Sequence, residues 1–131
     1  MTDAPPPSHE VILRMAEEAL ASIPPELLRH VTGLGIVVEE VAGPDLLARL
    51  GLHTPWSLLG VYQGIPLPRR SFTMIRISPD RIVLFRLPIL RYWQVQGGTL
   101  EDIVRHVLIH EIGHHFGFSD QDMTRIEQSL D

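Results

Sequence analysis

Apolar residues Val11, Ile12, Met15, Leu20 and Ile23 recur near helical spacing, with Glu10, Glu17 and Glu18 on the other side. This stripe predicts an amphipathic helix that begins at Ser8 and stops before Pro24. Pro24 and Pro25 suit the opening of a second short helix, PPELLRHV, and Gly33 or Gly35 would let the chain turn out of it. The pattern then becomes β-branched: GIVVEEV, residues 35–41, closed by Gly43-Pro44, predicts a strand. PDLLARLGL reads as a short helix between Pro44 and Gly51, and SLLGVYQ, residues 57–63, as a second strand before a loop marked by Gly64, Pro66 and Pro68. FTMIRI from Phe72 alternates weakly and, across the turn SPD, meets RIVLFRL, residues 81–87, which predicts two strands about a tight turn. Gly97-Gly98 breaks the chain before the last long element. There Thr99 precedes Asp102 by three residues, close to a capping box, and Ile103, Val104, Val107, Leu108 and Ile112 form an apolar face. A helix from about Leu100 to His115 follows.

The chain has 131 residues, the size of one ordinary domain. Residues 1–7, with Pro5, Pro6 and Pro7, read as a disordered leader, and 8–131 as a single domain. A composition of 44% hydrophobic and 21% charged residues is that of a soluble globular protein, with apolar runs too short to cross a bilayer. The acidic, proline-rich N-terminus lacks the basic region and apolar stretch of a secretory signal, so a cytoplasmic location is expected. With no cysteine, any metal must be held by nitrogen and oxygen. The net charge of -5 opposes nucleic-acid binding, which needs a clustered positive surface. The arginines Arg69, Arg70, Arg76, Arg81, Arg86 and Arg91 concentrate positive charge mid-chain and are expected on the solvent face of strands and loops.

Chemistry concentrates in HEIGHHFGFSD, from His110 to Asp120. His110 and His114, four residues apart on a helix, put both imidazoles on one face, the spacing that brings two nitrogens to a tetrahedral zinc. Glu111 leans toward the same open side, where it can serve as general base toward water. Gly117 permits a sharp turn after the helix, and the chain can then bring Asp120 back over the metal. Two nitrogens and one carboxylate leave the fourth position open, as in catalytic and not structural zinc sites.

The pattern HExxHxxGxxD resembles the zincin metallopeptidases with an extended motif. With the N-terminal amphipathic helix, IVVEEV, LLGVYQGIPLPRRS and PDRIVLFRLPIL, the chain resembles, over roughly residues 10–128, the small bacterial zincin-like proteins called minimal metallopeptidases. The resemblance implies an α+β fold: a small three- to four-stranded mixed sheet packed against an N-terminal helix and the C-terminal HExxH helix. It also implies zinc held by His110, His114 and Asp120, with Glu111 as base, and a peptide or unfolded protein segment as substrate. The larger metzincins differ: only eleven residues follow Asp120, too few for their C-terminal subdomain, and Met123 stands too close to Asp120 to form their methionine turn.

Other residues are assigned smaller roles. His115, rotated about 100° from the histidine pair, is expected to support the site from outside or lie at the surface, and His106, one turn before His110, to line the cleft. Glu127 and Asp122 are alternative third ligands, and Tyr62 and Tyr92 are both candidates to stabilise an oxyanion. A strand edge within residues 72–86 is expected to hold an extended peptide by strand addition. Two other functions remain open: a catalytically silent metal-binding or regulatory module, and a metal-dependent nuclease, which Glu111 and the acidic balance oppose. Oligomeric state is not legible in the sequence.

Overall fold

In the computed structural model of the chain, residues 5–28, 33–64 and 80–129 are described. Strand β1 (Gly35–Glu39) pairs in parallel with β3 (Arg81–Phe85), and β3 pairs antiparallel with β2 (Gly60–Gln63), giving a mixed sheet of order β1-β3-β2. The register sets Val38 beside Leu84 and Tyr62 beside Ile82. Side chains alternate along a strand, so the unbroken apolar run of β3 implies burial on both faces. Ile82 and Leu84 enter the main core with Ile12, Ala16, Val104, Leu108 and Ile112, while Val83 and Phe85 join Ala42 in a smaller core across the sheet. The fold is α+β, with the sheet packed against the first helix and the HExxH helix.

The N-terminal helix α1 (His9–Ser22) starts where Ser8 Oγ accepts from the Val11 N–H, and it buries Ile12, Ala16 and Ala19. After α2 (Pro25–Leu28), the remainder of the second expected helix lies outside the described residues, as does FTMIRI with the loop before it. The expected strand at 35–41 ends two residues early, at Glu39. Helix α3 (Pro44–Arg49) ends near Gly51, whose φ is +70°. The second expected strand, 57–63, starts late: Ser57 closes a 3-10 turn (Pro55–Ser57) and pairing begins only at Gly60.

At β3 one expectation fails for the described residues and another fails outright. It is the interior strand, so residues 81–85 offer no edge to a peptide, and 72–79 lie outside the described residues. Nor does RIVLFRL run on to Leu87: Arg86 opens helix α4 (Arg86–Gln96). Pro88 is tolerated there because it falls in the first turn, where an N–H has no intrahelical partner to lose. The helix escaped the sequence reading because its apolar residues do not form one stripe: Ile89 is buried, while Tyr92 and Val95 are exposed. Arg86 departs from its expected solvent role. Its Nε donates to the Pro7 carbonyl at 2.8 Å and its Nη1 to Glu40 at 3.0 Å, tying α4 to the chain's start and to the end of β1. Arg81 and Arg91 are exposed as expected, bonding Gln63 and lying over the Trp56 ring; Arg69, Arg70 and Arg76 fall outside the described residues.

Helix α5 (Leu100–His115) has the limits the sequence predicts, and Thr99 Oγ1 accepts from the Asp102 N–H at 3.2 Å. It packs on α1 and on β2. Gly60 makes the second contact close: a Cβ there would stand 2.8 Å from Val107 Cγ1. The last helix is α6 (Asp120–Ser129). Among the described residues no helix is long and apolar enough to cross a membrane.

Candidate metal centre

His106, His110 and His114 stand on one face of α5 at successive turns. Their ring centroids are separated by 4.0 Å for the first pair and 5.9 Å for the second. Helix α6 is turned back across this face. The Phe118 N–H bonds the Gly113 carbonyl at 2.8 Å, Gly117 takes a φ of +80°, and Ser119 Oγ then accepts from the Asp122 N–H. Positive φ is the geometry for which glycine at position 117 was expected.

Asp120 and Glu127 are seven residues apart, two helical turns, so α6 presents both carboxylates to α5. Asp120 Oδ1 lies 3.1 Å from His114 Nε2. Glu127 Oε1 lies 2.6 Å from His110 Nε2, and its Oε2 3.1 Å from His106 Nδ1. Ligand atoms of His110, His114 and Asp120 all fall within 4.8 Å of one another, and so do those of His106, His110 and Glu127. The first group is the set expected from the sequence. Two imidazoles and a carboxylate are the donor types zinc accepts, so the group fits that ion. Asp122 is instead paired with Arg125 at 2.8 Å.

The two helices are keyed together by Met123, which is fully buried. It occupies the space beside Gly113, where any Cβ would collide with its sulfur. Glycine between the two motif histidines is thus what lets α6 approach closely enough to place both carboxylates.

Glu111 lies on the sheet side. Burial raises the pKa of its carboxyl above the ordinary value, opposed by the neighbouring His114 and by a hydrogen bond from the Tyr62 main chain. Tyr62 itself is held firmly: its hydroxyl donates to Asp80 Oδ2 at 2.6 Å, and Asp80 is buried. Its ring stacks on His115 with centroids 4.0 Å apart. His115 therefore packs between α5 and β2, away from the histidine row. The Tyr62 hydroxyl is committed to Asp80. Tyr92 lies on α4, lining a cavity of about 300 Å³ together with His106 and Glu127.

Sequence reasoning placed His106 one turn before His110 and kept Glu127 as an alternative ligand, but missed that Glu127 bridges His106 and His110 and that the Tyr62 main chain reaches Glu111. The bridge left a legible signal: histidines at 106, 110 and 114, and carboxylates at 120 and 127, each set periodic on one helix face. The Tyr62 contact left none, because the β2–α5 approach is a tertiary contact.

Residues 31–130 match the family of zincin-like metallopeptidases, and the chain belongs to that family. No curated protein matches it. Among solved structures it is similar to a conserved hypothetical protein from Thermus thermophilus, with 24% identity and a TM-score of 0.55 over 82% of this chain and 92% of the other. At that identity the likeness establishes the fold.

Proposed function

We propose that the protein is a zinc-dependent peptidase in which His110, His114 and Asp120 hold the ion and Glu111 is the general base. The observation that carries this reading is the adjacency of a ligand-competent group, with donor atoms within 4.8 Å, to a carboxylate whose proton affinity burial has raised. A bound zinc ion would supply Lewis acidity to the scissile carbonyl and acidify water. Glu111 takes the proton of the attacking water and passes it to the departing amine; its raised pKa suits both transfers, since a base poised nearer neutrality also re-donates well. The hydrogen bond from Tyr62 holds the carboxylate in place between the two steps.

An extended peptide or unfolded protein segment is the proposed substrate. Among the described residues β2 is bonded on one side only and reaches the base, so it replaces the interior strand β3 as the edge for strand addition. A cytoplasmic site of action is part of the same proposal.

Zinc content and peptide-library cleavage, measured for the wild type and for Glu111→Gln, test the reading. One zinc should be retained in both, and cleavage should fall by about 10²–10⁴-fold in the variant, the scale of a lost general base. Zinc retained without cleavage in either protein would overturn the peptidase and leave a silent metal-binding module. Zinc lost on Glu111→Gln would overturn the division of roles.

A further inference from the structure

The row of three histidines and two carboxylates forms two ligand groups that share His110. We propose that His106, His110 and Glu127 form a second seat for the divalent cation, exclusive of the first, so that one ion per chain divides between a working and a resting position. The inference rests on the reading of His110, His114 and Asp120 as the first seat.

Three observations carry it. Glu127 spans two imidazoles with its two oxygens, at 2.6 Å from His110 Nε2 and 3.1 Å from His106 Nδ1. The set offers the same donors as the first: two imidazole nitrogens and a carboxylate. It also opens onto the cavity of about 300 Å³ bounded by Tyr92, Gln96 and Thr99, which gives an ion and its waters a path from solvent.

Exclusivity follows from the chemistry of the shared residue. A neutral imidazole carries a proton on one nitrogen and a lone pair on the other, so His110 can ligate one ion at a time. The base distinguishes the seats, because Glu111 interacts with His114, a residue the second seat omits. An ion resting on His106, His110 and Glu127 is displaced toward the N-terminus of α5, away from His114 and the turn that carries it.

The test is titration of the metal-free full chain with zinc against a chelating indicator, with no peptide present. The wild type should bind one zinc. Asp120→Ala should still bind one, and adding His106→Ala to it should weaken binding further by about tenfold or more, given that even the loss of a ligand's supporting partner typically costs 10–100-fold. His114→Ala with and without Glu127→Gln repeats the comparison should the first pair fold poorly by circular dichroism. Equal affinities with and without the second substitution, in either background, overturn the second seat. Two zinc ions per wild-type chain, both lost in His110→Ala, overturn exclusivity. If Asp120→Ala binds zinc as tightly as the wild type while His106→Ala does not, the second seat stands and the proposed ligand set of the peptidase falls.

Discussion

The two sides of α5 set the candidate site on unlike foundations. On the sheet side, Glu111 is half-buried and faces β2, whose Tyr62 is anchored to the buried Asp80. On the α6 side, His114 and Asp120 are 56% and 84% exposed along their side chains, and their 3.1 Å approach depends on how one terminal helix docks. The Glu111 carboxyl is therefore tuned by what the core excludes, and the candidate ligands are positioned by the docking of α6, which the buried Met123 keys against Gly113. Low dielectric matters on one side and helix packing on the other.

The contrast is sharpest at Met123. Met123→Ala removes the side chain that fills the space over Gly113 and should cost about 2–5 kcal/mol of stability, the range for emptying a buried methionine site. Zinc affinity should fall with it, since Asp120 and Glu127 ride on the same helix. Chemical denaturation and metal titration check this, and unchanged zinc affinity in a destabilised variant would break the link between α6 docking and the ligands.

Tyr62→Phe makes the converse perturbation. It deletes the hydroxyl that donates to the buried Asp80 and should cost about 1–3 kcal/mol, the scale of removing one partner of a buried hydrogen bond. Because the change is confined to the sheet side, zinc affinity should stay within about threefold, roughly 0.7 kcal/mol. A larger loss would show that the two foundations are coupled.

The smallest effect is on pH dependence. The carboxyl of Glu111 holds its proton more tightly in the folded chain than in the unfolded one. In the metal-free protein this group therefore contributes stability below its ordinary value of 4.5, and that contribution disappears as pH rises through the raised folded pKa. Glu111→Gln should remove this slope and raise the melting temperature of the metal-free chain at neutral pH. Parallel melting curves against pH for the two proteins would show that burial does not tune the base.

Much of the site was legible because its chemistry lies within one helix and the turn after it. Spacing alone placed His110 and His114 on one face, Thr99 at the helix start and Gly117 at the turn, since helical period and positive φ are local properties. The fold was less evenly legible. The apolar runs of β1 and β3 marked strands, yet α4 carried no single apolar stripe, and its first residue, Arg86, is tied to Glu40 and Pro7 by contacts distant in the chain.

By itself the sequence determined the HExxH helix and the shared face of His110 and His114, because residues four apart on a helix need no distant partner to face the same way. Tertiary structure alone decided which strand lies inside the sheet and that Tyr62 supports Glu111. It also decided that Glu127 meets His110 and His106 across the interface with α6. These are contacts between elements far apart in the chain, and their geometry is set by the packing of Gly60 against Val107 and of Gly113 against Met123, where the absence of a single carbon permits the approach.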